Sequence, residues 1–155
     1  MRNRMIFVLV TAALALAAAV AWATAPAGKF TTAADTVADN QTQLTWQRSV
    51  GNTKVTWKQA FDACDALDLD GKTDWRLPEL QELYSLVDFS KAGLNPYIDA
   101  AVFPDTPWGM YWSNTTGPGW GSAKNRYTVS FGGNFGPAIA QTPGDTPLAY
   151  VRCVR

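Results

Sequence analysis

Apolar side chains at Trp57, Ala60, Phe61, Cys64 and Leu67 recur at the three- and four-residue spacing of one helix face. Thr56 and Gln59 form a capping-box pair at its start, and Gly71 is placed to end the turn that follows. Cys64 therefore falls on the buried face of this first helix. A second helix is predicted from Pro78, a residue suited to a first helical position, with Glu79 in the first turn where the dipole favours negative charge. Leu80, Leu83, Tyr84 and Val87 make its apolar stripe, with Gln81 and Glu82 turned away. Both helices are amphipathic, so each is expected to pack on a sheet.

The β signals flank this helical centre. Residues 36–39 and 44–47 read as strands around the turn residues Asn40-Gln41, which is a hairpin. Residues 26–34 read as a mobile lead-in. Residues 107–147 hold eight of the 12 glycines and five of the nine prolines, so loops dominate there. Runs at 110–113, 127–131 and 149–154 have strand texture within and after them. No internal repeat is found. Hairpin, two helices and loop-linked strands predict an α+β domain, with the helices packed on a small antiparallel sheet.

Composition narrows the chemistry. The chain of 155 residues has no histidine, which removes Ser-His-Asp and Cys-His machinery and histidine metal ligands. Thirteen basic residues balance 13 acidic ones, so nothing in the charge points to nucleic acid. Only 17% of residues are charged and 47% are hydrophobic, a bias that lies partly in the first 25 residues. There Arg2 and Arg4 precede an apolar run from Met5 to Ala23 that is broken only by Thr11.

That pattern, with small residues at Ala21-Trp22-Ala23 and Ala23-Thr24-Ala25, predicts a signal peptide over residues 1–25. Either triplet fits a cleavage site. An uncleaved anchor is the alternative, although alanine drives insertion weakly. No cysteine lies near the cut to carry a lipid. Removing Arg2 and Arg4 leaves 11 basic residues against 13 acidic, a net charge of −2. The mature protein is expected to be exported, periplasmic or secreted, with no stable membrane insertion. Cys64 and Cys153 are the only cysteines. In an oxidising compartment the even count predicts a disulfide; two free thiols are the alternative.

The strings DNQTQLTWQ (39–47), TDWRLPELQELYSLVD (73–88), YWSNTT (111–116) and YVRCVR (150–155) resemble the Lcl C-terminal domain family, the C-terminal domain of a bacterial collagen-like adhesin. The resemblance runs over residues 35–155. Its Arg-Leu-Pro segment and closing Val-Arg-Cys-Val-Arg are also similar to the formylglycine-generating-enzyme branch of C-type-lectin-like folds. It implies a single C-type-lectin-like domain in which a first-helix cysteine bridges to one in the last strand, the places of Cys64 and Cys153. It further implies adhesion, sulfated glycosaminoglycan binding and trimeric assembly. The chain departs from that setting by lacking a Gly-X-Y stalk and by its slightly negative mature charge. The resemblance carries over no catalytic residues.

Ligand-binding candidates concentrate in the loop-rich half. Trp46, Trp57 and Trp75 sit among apolar residues and are expected in the core. Trp108 and Trp120 lie among Pro and Gly, where an indole offers a rigid apolar platform for a sugar face. Lys124 and Arg126, with Asn125 between them, could grip an anionic saccharide beside Trp120, or form a solvated turn. Asn114 and Asn134 are further polar candidates, and Asn114-Thr115-Thr116 fits a glycosylation sequon.

Metal and catalytic readings are weaker. With Gly71 at position 6 of an EF-hand loop, Ala66 and Leu77 occupy the two ends, so the spacing fails. An irregular calcium site on Asp68, Asp70 and Asp74 is a minor alternative, and no cofactor is expected. Glu79 and Glu82 could form a glycosidase pair, but the helix dipole explains Glu79 better. Arg76 is expected to pair with a carboxylate or with backbone carbonyls. The expected function is a non-enzymatic binding module for a glycan or cell-envelope component. The alternatives are a structural unit of a surface complex, in which an oligomer would fit, and an enzyme of the formylglycine-generating branch.

Overall fold

The computed structural model describes residues 28–91, 96–118, 125–133, 136–146 and 149–155. The expected signal peptide, and the candidates Trp120, Lys124 and Asn134, lie outside the described residues. The described chain is α+β: two antiparallel three-stranded sheets and two short helices.

The first sheet contains β1 (Phe30–Thr32), β2 (Thr36–Asp39) and β3 (Thr45–Gln47) in that order. The predicted hairpin is β2–β3, with a longer turn than Asn40-Gln41. The Asp39 carboxylate accepts from the backbone N–H of Gln41 (2.8 Å) and Thr42 (3.2 Å), and Gln43 takes a positive φ of 62° to complete the reversal. β1 lies inside the stretch expected to be a mobile lead-in. Tertiary contacts order it: Phe30 packs edge-on against Phe103 at 5.4 Å, and Asn40 donates to the Gly28 carbonyl at 2.8 Å.

The second sheet contains β4 (Met110–Thr116), β5 (Asn125–Ser130) and β6 (Ala138–Pro143). β6 has no counterpart among the predicted strands, because its Ala-Ile-Ala-Gln-Thr-Pro sequence alternates weakly and five of its residues are not fully buried. Alternation along β4 sends neighbouring side chains to opposite faces. Tyr111 and, across from it, Val129 join Leu83 and Leu86 in one buried cluster. Trp112 joins Ala60, Cys64, Trp75 and Leu77 in the other. Each face of the sheet is thus served by a different helical segment, not one layer of two helices.

Helix α1 (Trp57–Asp65) starts where the pattern places it, with the Thr56/Gln59 capping box formed. Ala60 and Cys64 are buried, whereas Phe61 is 38% exposed and only leans on Trp57. After α1, Asp70 (φ 56°) and Gly71 (φ 66°) form a two-residue reversal closed by reciprocal Leu69–Lys72 hydrogen bonds, the turn a type I′ Asp-Gly pair makes. Helix α2 is shorter than predicted, Leu80–Tyr84, and Glu79 is its N-cap, not a first-turn residue. Leu86 and Val87 keep their place against the core from the following turns.

Glu82 does not turn away. It accepts the Glu79 backbone N–H at 2.8 Å and holds Arg76 through two bonds of 2.8 and 2.7 Å, so Arg76 is paired with a carboxylate as expected. The Arg76 guanidinium in turn holds the Glu82 carboxyl below its ordinary value. Asp74 pairs with Arg155 at 2.7 Å, which lowers the Asp74 carboxyl as well.

The C-terminal segment 149–155 is not the continuous strand predicted for 149–154. Its backbone partners are shared out: Val55 for Ala149, Tyr111 for Tyr150, and both Trp46 and Arg76 for Val154. Distributed in this way it laces the first sheet to the second. Cys153 within it is bonded to Cys64, with Cα atoms 5.5 Å apart and a sequence separation of 89. Both cysteines are consumed.

Candidate functional site

An open cleft of about 750 Å³ lies where the C-terminal segment meets the start of β4. Asn52, Lys54, Asp105, Thr106, Trp108 and Tyr150 are among its walls. The local sequence builds this opening in three ways. Pro107 and Gly109 bracket Trp108, so no regular element covers the indole, which is 63% exposed. Gly109 has a φ of +148°, and a Cβ there would meet the Tyr150 ring at 3.1 Å. Only glycine lets the chain pass this close over Tyr150. Asp105 has a positive φ of 55°, a conformation that Asp tolerates better than most residues and that reverses the chain at the cleft rim.

The floor is fixed from beneath by Arg152. This side chain is fully buried, yet it donates to the carbonyls of Gln47 (2.6 Å) and Arg48 (2.7 Å) and to the Thr106 hydroxyl (2.7 Å). Its guanidinium also faces the Phe103 ring at 4.7 Å. Burial brings its pKa down to about 10, with the neighbouring Tyr111 acting in the opposite direction, so it is charged at neutral pH. Burial pushes the Tyr111 phenol up, and its hydroxyl donates to the Pro107 carbonyl at 2.9 Å. Arg152 and Tyr111 therefore tie the loop carrying Trp108 to the core at Thr106 and Pro107.

At the rim the polar groups point outward. Lys54 is exposed, with its ammonium 5.4 Å from the Tyr150 ring centroid. It forms no salt bridge among the described residues. One acid, one base, an amide and two aromatic rings thus line one open cleft. This set can stack on a flat ring and exchange hydrogen bonds with hydroxyls.

Of the predicted ligand residues that are described, Trp108 alone lies in this cleft. Asn114 lies on β4, six residues or about 20 Å along the chain from Trp108, and Arg126 lies on β5 opposite Thr116 at that same far end of the sheet. There the amide of Asn114 donates to one Glu79 carboxylate oxygen at 3.0 Å and the Thr115 hydroxyl to the other at 2.6 Å. The Arg126 guanidinium stacks on Trp57 at 3.6 Å and donates to the Thr116 hydroxyl at 2.6 Å. Desolvation lowers its pKa. Asn114 and Thr115 brace Glu79, the N-cap of α2, and Arg126 braces Trp57 of α1; they do not join Trp108.

Lys54, Asn52, Asp105 and Tyr150 are cleft residues that the sequence pattern did not single out. Their juxtaposition is tertiary, since Lys54 and Tyr150 come from opposite ends of the domain. Only the Pro-Asp-Thr-Pro run at 104–107 signalled a turn there. Among the described residues, no group of three or more His, Cys, Asp or Glu side chains could hold a metal ion. Nor is any described helix long and apolar enough to cross a membrane.

Fold and site together define a small α+β domain, stapled by one long-range disulfide, with an aromatic cleft beside its C-terminal segment. The chain belongs to the Lcl C-terminal domain family, whose match covers residues 35–155, the span marked out by the four sequence motifs. No curated protein matches the chain.

Proposed function

We propose that this protein is an exported, non-enzymatic binding module that takes a glycan or another cell-envelope component in the Trp108 cleft. The observation that carries the reading is Trp108 itself, a 63%-exposed indole held on a fixed loop at the mouth of a cleft of about 750 Å³. A large apolar ring left in water costs free energy unless something covers it, and the face of a sugar is such a cover. Lys54, Asn52 and Asp105 supply donors and acceptors for its hydroxyl groups.

The disulfide supports both export and the absence of thiol chemistry, because formylglycine-type catalysis needs a reactive or metal-ligating thiol and both cysteines are bonded. The test is a glycan-array screen of the protein exported from its full-length gene, with calcium and with chelator. Saturable binding that Trp108→Ala abolishes while the circular dichroism spectrum is unchanged is the expected result. A blank array from folded protein, or binding indifferent to Trp108→Ala, would overturn the assignment of the cleft. Binding that chelator abolishes would return calcium to the account.

A further inference from the structure

A second, smaller cavity of about 160 Å³ adjoins the Trp108 cleft, and the two share Met110, Ser130 and Gly132 in their walls. The strand register explains why it is open. Met110, Ser130 and Ala138 stand abreast across β4, β5 and β6, and Ala140 lies two residues along on the same face. Alanine at both β6 positions, with Gly133 and Gly136 beyond, leaves a chamber that larger side chains would fill. Its walls are methyl and methylene groups with little polar surface. A chamber of this kind favours a small apolar group and disfavours a charged one, for which no described cation lines it.

The polar feature at the junction is Ser130. Its hydroxyl donates to the Gly132 carbonyl and accepts from the Gly132 N–H at 3.2 Å. A hydroxyl has one donor and two acceptor positions, so among the described contacts one acceptor position of Ser130 is left over. The junction therefore offers an acceptor for an N–H next to an apolar chamber, and Met110, the strand partner of Ser130, is two residues from the exposed Trp108.

We propose that the cleft selects saccharides that carry an acetamido group. The acetyl methyl enters the small chamber, the amide N–H donates to Ser130, and the sugar ring lies against Trp108. This rests on the glycan reading above and names the ligand class within it. A ring with only hydroxyl groups leaves the chamber unfilled, and an unacetylated amino sugar brings an ammonium to a chamber whose described walls carry no carboxylate.

Isothermal titration of the exported protein with N,N′,N″-triacetylchitotriose, its fully deacetylated counterpart and cellotriose tests this directly. The expected order puts the acetylated trimer about tenfold tighter than cellotriose, the combined effect of one buried methyl and one hydrogen bond. Ala138→Leu, on the exposed edge strand, and Ala140→Val as a second filling variant, should each reduce the acetylated trimer to the affinity of cellotriose and leave cellotriose unchanged. Equal binding of cellotriose and the acetylated trimer by the wild type, both abolished by Trp108→Ala, would remove the acetamido inference and leave the glycan reading standing. Failure of all three trimers, with Trp108-dependent binding of other glycans on the array, would do the same. Failure of every glycan would remove both.

Discussion

Arg152 and Trp108 flank the same loop and are treated in opposite ways. Arg152 is a charged side chain taken wholly out of water, and three oxygens from two separate segments receive its protons. Trp108 is a large apolar side chain left mostly in water, with its loop held through Thr106 and Pro107, the two residues just before it. The stapled region turns polar groups inward and pairs the two terminal nitrogens of Arg152, leaving its Nε without a hydrogen-bond partner among the described residues; the cleft region turns an apolar group outward and leaves Lys54 without a salt-bridge partner among the described residues. The family motifs fall mostly on the first kind of residue, with Tyr150 of the closing motif lining the cleft as well. Trp46, Arg76, Glu82, Trp112, Arg152 and Cys153 all build the scaffold, whereas Trp108, Lys54 and Asp105 lie outside the four motif strings. The motif residues of this chain thus largely hold the domain together, while the exposed indole sits on a loop displayed by that scaffold.

Four perturbations would break or sharpen this contrast. The largest effect is expected from removing the disulfide with Cys64→Ala and Cys153→Ala together, which opens a loop of 89 residues. Loop-closure entropy puts the loss at about 4–5 kcal/mol, read as a lower midpoint in guanidinium unfolding. Next comes Arg152→Met, which preserves apolar volume but strands the Gln47 and Arg48 carbonyls and the Thr106 hydroxyl. A cost of roughly 3 kcal/mol is expected. Because Thr106 is in the cleft wall, ligand affinity should fall in the folded fraction too. Unchanged stability would mean that the buried guanidinium is not what joins the two regions.

Glu82→Ala should cost less, roughly 1–2 kcal/mol, since it removes a partly exposed ion pair and one capping bond. It also carries a pH signature. The folded-state carboxyl of Glu82 lies below its ordinary 4.5, chiefly because of the Arg76 hydrogen bonds. Its contribution is therefore full above about pH 4.5 and is lost as pH falls through the lower folded value. Asp74, held down by Arg155, acts in the same direction. Acid unfolding of Glu82→Ala should show a shallower loss of stability below pH 4.5 than the wild type. An identical acid slope would show that the pair contributes nothing to folding. The smallest stability change belongs to Trp108→Ala, within about 0.5 kcal/mol, because the indole is mostly in water already. Its effect on glycan affinity should nonetheless be tenfold or more, a split that no scaffold residue would produce.

Much of the scaffold was legible because it depends on neighbours in sequence. The Thr56/Gln59 box, the β2–β3 hairpin and the place of Cys64 on a buried face all follow from spacings of a few residues. The errors share a cause. β1 and β6 are short edge strands with weak alternation, and the partners that order them lie far along the chain. Glu82 reads as solvent-facing on a helical wheel, yet Arg76, six residues earlier, folds back to meet it. Arg126 reads as a free cation near an aromatic, and the aromatic it stacks on is Trp57.

The sequence by itself determined the α+β class, the family, the pairing of Cys64 with Cys153, and the suspicion attached to Trp108. Each of these follows from residue type, local period or motif order. Only the tertiary structure decided that residues 149–155 lace two sheets instead of forming one strand, that Asn114 and Arg126 stand apart from Trp108, and that Lys54, Asp105 and Tyr150 join it. The reason is that a hydrogen-bonding or stacking partner is chosen by proximity in space. In this domain the disulfide and Arg152 create that proximity between residues separated by most of the chain.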